Sequence, residues 1–153
     1  RAKILQTRLE EGGVPAGMVL GDATAELLTN DQRFDRVLVD APCTGVGVIG
    51  RHPEARWRKR PDDAERLAVS QLAMLERVAT HVHEGGSLVY AVCSFDPHET
   101  EEVVDAFVRA HGFSRSAVPA AFESLLTAAG DVLVPPGLDG RDGFYIARLD
   151  KVP

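Results

Sequence analysis

The chain has 153 residues, with 17 Lys+Arg against 23 Asp+Glu and a formal net charge of −6. Its 44% hydrophobic and 26% charged content fits one globular domain with a buried core and excludes a disordered or basic tail. No apolar run nears the ~20 residues of a membrane span and no basic-then-apolar leader precedes the first element, so neither a membrane protein nor a secreted mini-scaffold is expected.

Arg1–Glu11 places Ile4, Leu5 and Leu9 at helical spacing and stops at Gly12–Gly13. Met18–Gly21 reads as a short buried strand ending at Asp22, Ala23–Leu28 as a short helix, and Arg36–Val39 as a second buried strand ending at Asp40. Between Ala41 and Pro61 glycines and prolines recur, which predicts a long loop. From Asp62 to Glu84 apolar residues step by 3 and 4, predicting one amphipathic helix stopped by Gly85–Gly86. Ser87–Val92 follows as a strand. Asp96, Pro97 and Glu99 then announce a helix start, with Val103, Val104, Phe107 and Val108 as its buried stripe and Gly112 at its end. Ala117–Ala129 is ambiguous. Leu133–Pro136 and Gly143–Leu149 read as an antiparallel pair. Alternation of strands with helices predicts one α/β domain with a mostly parallel sheet.

Cys43 and Cys93 lie far apart without a C-x-x-C spacing, and His52, His81, His83, His98 and His111 occur in unrelated contexts. Free thiols, no metal site and a reducing, cytoplasmic compartment are expected. In open α/β sheets ligands sit beyond the carboxyl ends of the strands. That rule selects Gly21-Asp22, Asp40-Ala41-Pro42-Cys43 and Cys93-Ser94. Each alone reads equally well as a helix cap or a core filler; two thiols and two carboxylates on one rim point to chemistry. Cys93 also precedes a helix start, whose unpaired N–H groups favour a thiolate, with Asp96 and Glu99 opposing.

Gly45-Val46-Gly47-Val48-Ile49-Gly50 matches G-x-G-x-x-G by letter. It follows its strand too late and leads into Arg51-His52-Pro53, so it is not a dinucleotide fingerprint. Residues 51–60 hold Arg51, Arg56, Arg58, Lys59 and Arg60 against Glu54 alone. The run therefore carries +4 and leaves −10 on the rest of the chain. A cationic loop beside the rim suits an anionic substrate, and Trp57 inside it suits stacking on a base. The alternative is a solvated loop whose arginines pair with Asp62, Asp63 and Glu65.

Three segments carry a resemblance. Phe34-Asp35-Arg36-Val37-Leu38-Val39-Asp40-Ala41-Pro42-Cys43-Thr44-Gly45, then Arg51-His52-Pro53-Glu54 with Trp57, then Gly85 to Ser94 with Pro97-His98-Glu99 resemble the RNA cytosine-5 methyltransferases of the Sun/Nop2 family. The Arg-His-Pro segment is most similar to the bacterial branch acting on 16S ribosomal RNA, and Asp139–Ala147 is similar to the family's final strand. The resemblance implies a Rossmann-like class I methyltransferase sheet, S-adenosyl-L-methionine as cofactor and RNA as substrate. It implies Cys93 as nucleophile toward C6 of cytosine, Cys43 assisting breakdown of the adduct, Asp40 against cofactor and base, and Asp22 at the adenine end of the cofactor. Val92 stands where the family usually has Thr, with a tuning effect on the loop expected.

The family's Gly-rich cofactor loop and the acidic end of its second strand would precede Arg1. Residues 1–153 are thus expected to be a C-terminal portion of the domain, lacking its first two strands and binding cofactor poorly. Their absence orphans Met18–Gly21 and exposes a sheet edge open to self-association. Two other readings stay open: a non-catalytic RNA-binding module, and a tRNA or DNA cytosine-5 methyltransferase, the DNA type using Cys43 as nucleophile.

Overall fold

The computed structural model describes residues 2–152 apart from 14, 26, 27 and 30. Helix α1 (Ala2–Glu11) ends where expected, with Gly13 at φ 63°. Residues 15–20 form no regular secondary structure, and Met18, Val19 and Leu20 stay exposed. The strand expected there does not form, because no neighbouring strand offers partners for its N–H and C=O groups. The helix expected over Ala23–Leu28 is also corrected: Ala25 N–H closes a turn on the Asp22 carbonyl. Glu26 and Leu27 lie outside the described residues.

Strand β1 (Phe34–Asp40) leads into the loop, and α2 (Asp63–Ala79) follows it. The helix expected to reach Glu84 stops at Ala79. Strand β2 (Val82–Val92) starts immediately after, because Val82 is fully buried beside β1. Three extra residues of β2 bulge out between the Phe34–Val82 and Arg36–Ser87 pairs, with Gly85 at φ 73°. Helical periodicity carried across 80–84 by chance, and the glycines mark the bulge instead of a helix end. The chain continues through α3 (Glu101–Ala110), β3 (Phe113–Arg115), β4 (Val132–Val134) and β5 (Phe144–Lys151). The ambiguous 117–129 stretch holds a short 3-10 helix, Ala120–Leu125.

The sheet order is β1-β2-β5-β3, with β4 also on β5. Only β1 and β2 are parallel, in the register Asp40–Ala91; β5 runs antiparallel to β2, β3 and β4. The expected β4–β5 antiparallel pair is present. A mostly parallel sheet is not: β5 inserts antiparallel beside β2, and the 18–21 strand that would add to the parallel side is missing. One sheet face is packed by α2 and α3. Leu75, Val104 and Phe107 meet Leu88, Tyr90, Val92, Tyr145, Ala147 and Leu149 there, all essentially without solvent contact. On the other face Leu38 of β1 is 67% exposed. No helix of the described residues is long and apolar enough to cross a membrane.

Candidate active site

The parallel β1–β2 pair ends with Ala41 N–H donating to the Ala91 carbonyl at 3.0 Å. Both chains then turn into loops at the same pole, which brings the two cysteines together: Cys43 Sγ and Cys93 Sγ are 3.3 Å apart. Both are half-buried and reduced. Burial, then the hydrogen bond and charge of the Cys93 sulfur, push the Cys43 thiol up to about 12, so it keeps its proton at neutral pH.

Glu99 holds the two loops against each other. Its fully buried carboxylate accepts from Thr44 N–H at 2.7 Å, the Thr44 hydroxyl, the Ser94 hydroxyl at 2.7 Å and Gln71 Nε2 at 3.1 Å. Gln71 Nε2 also donates to the Pro42 carbonyl, and the Tyr90 hydroxyl donates to the Glu99 carbonyl. Asp96 caps the short 3-10 helix Pro97–Glu99 as expected, accepting from His98 N–H. Glu99, expected to serve that helix start, turns inward instead. The sequence carried a signal for this hub: each cysteine is followed by a hydroxyl residue, and an acid follows the second within two helical turns.

Gly47 adds a third tie. Its N–H donates to the Cys93 carbonyl at 3.0 Å, and its carbonyl accepts from Gly143 N–H at 2.8 Å. A Cβ at Gly47 would stand 2.1 Å from the Gly143 oxygen. The glycine run is therefore a point of close backbone approach, a role that its spacing did not disclose.

The remaining expected residues divide. Asp40 ends β1 at the same pole, exposed and with no side-chain partner among the described residues. Its free carboxylate suits a cationic sulfonium nearby. Asp22 is not brought there. Its neighbours Val19, Ala23 and Ala25 line a cleft with Arg77, Val78 and His81, at the amino ends of β1 and β2, about 20 Å away by strand length. Its carboxylate accepts from the Thr24 N–H and hydroxyl, which hold it below the usual range. Of the two carboxylates expected at the cofactor, Asp40 lies at this pole and Asp22 does not.

In the basic run, Arg51 makes a two-pronged ion pair with Asp142, tying the loop to the start of β5. That contact holds one side of its guanidinium, and the side chain stays largely exposed. The expected alternative partners, Asp62, Asp63 and Glu65, take none of Arg56, Arg58 or Lys59, which have no carboxylate partner among the described residues. The Arg56 guanidinium lies 4.8 Å over the Trp57 ring, and Trp57 is 80% exposed. A cleft of about 290 Å³ runs from Cys43 and Thr44 to Arg58, Lys59 and Arg66, so loop cations and thiol share one opening. No group of three or more His, Cys, Asp or Glu that could hold a metal occurs among the described residues.

Comparison with known proteins gives a consistent set of relatives. The chain is 44% identical over 122 residues to ribosomal RNA small subunit methyltransferase B of Thermus thermophilus, covering 79% of this chain and 30% of that protein. It is 36% identical over 158 residues to the enzyme of that name from Serratia proteamaculans, covering 99% and 34%. The chain thus spans about a third of the length of these curated relatives. Among solved structures, NSun6 from Pyrococcus horikoshii, determined with SFG, superposes with a TM-score of 0.83 at 26% identity, covering 100% of this chain and 39% of that one. PH0851 gives a TM-score of 0.71 at 35% identity, covering 76% and 26%. These similarities establish an α/β sheet of the class I methyltransferase type. A family model described as 16S rRNA methyltransferase RsmB/F matches residues 1–150, and the chain belongs to that family.

Proposed function

We propose that this chain methylates C5 of a cytosine in RNA, with 16S ribosomal RNA as the substrate, in the cytoplasm. The observation that carries the reading is the pair of thiols 3.3 Å apart at the strand ends. C5 of cytosine is a weak nucleophile. Addition of the Cys93 sulfur to C6 makes it enamine-like and able to accept a methyl group. S-adenosyl-L-methionine supplies that methyl when bound, and Asp40 is the carboxylate placed to lie beside cofactor and base. Loss of the C5 proton and of the Cys93 sulfur restores aromaticity. Cys43, kept protonated by burial, hydrogen-bonds the departing sulfur and steadies its charge. The target base must leave its stack to reach so recessed a pair. Arg56, Trp57, Arg58 and Lys59 guide the strand toward it.

Residues 1–153 then serve as a C-terminal portion of the methyltransferase domain, supplying thiols and RNA loop. The outer edge of β1, unpaired among the described residues, is the contact for self-association. Sedimentation velocity showing only monomer at every concentration would remove that last element.

Covalent capture tests the reaction. In the full-length enzyme, with small-subunit ribosomal RNA and cofactor, Cys43→Ala accumulates a protein–RNA adduct that survives denaturing electrophoresis, and Cys93→Ala forms none. The reverse pattern makes Cys43 the nucleophile, as in DNA enzymes. Binding without any adduct in either variant makes the chain a non-catalytic RNA-binding module.

A further inference from the structure

The thiol pair has a second chemistry that methyl transfer does not use. A disulfide needs its sulfurs at about 2.05 Å, so closure from 3.3 Å requires an approach of little more than an ångström. The backbones permit it. Both cysteines sit in loops leaving adjacent hydrogen-bonded strands, whose ~4.8 Å spacing falls within the separations that disulfides bridge. Position 45 does not crowd the Cys93 sulfur: even a Cβ there would stand 3.9 Å from it. Cys43 opens on the 290 Å³ cleft, wide enough to admit a peroxide. The sequence contains no third cysteine to compete.

We propose that Cys43 and Cys93 are an oxidisable dithiol, which hydroperoxides convert into an intramolecular disulfide that closes the site reversibly. Since burial keeps the proton on Cys43, the attacking thiol is Cys93, itself half-buried and 3.3 Å from the sulfur at the cleft. Its sulfur attacks one peroxide oxygen, the O–O bond breaks, and Cys93 becomes a sulfenic acid as the other oxygen leaves in water or alcohol. The Cys43 sulfur then attacks the sulfenic sulfur. The S–S bond forms, the S–O bond breaks, and the hydroxyl departs as water with the Cys43 proton. Two electrons pass from the thiols to the peroxide, and a dithiol reductant returns them. That closure stops catalysis rests on the methyltransferase reading above; the disulfide itself does not.

The test treats the reduced protein with hydrogen peroxide and reads its intact mass and maleimide labelling. The expected product has lost two hydrogens, takes no maleimide until dithiothreitol is added and then takes two, and yields one cross-linked peptide joining Cys43 to Cys93. In Cys43→Ser, Cys93 instead gains oxygen. Oxygen gain in the unsubstituted protein, a disulfide between two molecules, or two thiols unchanged by peroxide would each overturn the proposal. Methyl transfer from S-adenosyl-L-methionine to small-subunit ribosomal RNA is measured with the unsubstituted full-length enzyme, treated in the same way. Transfer lost with peroxide and regained with dithiothreitol supports the switch. A disulfide in a protein that methylates no RNA even when reduced upholds the dithiol and refutes the methyltransferase reading.

Discussion

Glu99 is one side chain on which two loops depend. Its oxygens accept only from donors: one N–H, two hydroxyls and one amide NH₂. Glu99→Gln keeps the shape but turns an NH₂ toward at least one of those donors. We expect a loss of about 2–3 kcal/mol in denaturant unfolding, the scale of a buried polar group left unsatisfied. The Cys43→Ala adduct should form more slowly in that background, since the thiols lose their common brace. The surface nearby offers a charge test. His98 is held above the ordinary imidazole value, first by its side-chain hydrogen bond to Asp96 at 2.9 Å. The stability this adds is complete below the unfolded value, near 6.5, and is lost as pH rises through the folded one. Asp96→Asn retains the cap but not the charge. The stability gap between wild type and Asp96→Asn should therefore shrink as pH rises above about 6.5, as read by thermal unfolding.

At the scale of elements, the sequence exposed whatever depends on local pattern. Helix α1, strand β1, the Asp96-Pro97 helix start and the β4–β5 pair all follow from spacing, caps and turns. What it hid depends on partners distant in the chain. The helix-to-strand change at 80–82 is decided by the burial of Val82 against β1, which outweighs the helical spacing of the same residues. Met18–Leu20 has strand-like residues and no strand beside it. Both thiols were legible from their position after strands, whereas the inward turn of Glu99 and the Arg51–Asp142 pair needed the fold. Gly47 was visible only as a letter in a misleading motif. Gly47→Ala places a methyl group against the Gly143 backbone. We expect it to lower stability by about 2–4 kcal/mol and to detach the start of β5 from the Cys93 loop, seen as faster amide exchange at Gly47 and Gly143.

Over the whole molecule, charge is divided by function more than the total implies. A protein of net charge −6 presents Arg56, Arg58 and Lys59 without carboxylate partners among the described residues, beside its thiols. Changing all three to Ala should weaken RNA binding and flatten its log–log salt dependence by about 2, near 0.7 for each single-strand phosphate left unneutralised. Unchanged affinity and slope would show that the loop is only solvated. The parallel register of β1 and β2 has a kinetic consequence of its own. Nothing local holds the cysteines together, because residues 44–92 separate them and the strand pair that joins them must close a long loop. Any folding intermediate with formed helices but an unzipped β1–β2 pair has widely separated sulfurs. A short dithiol-bridging reagent applied during refolding would therefore time the closure of that pair, with the two thiols themselves as the clock.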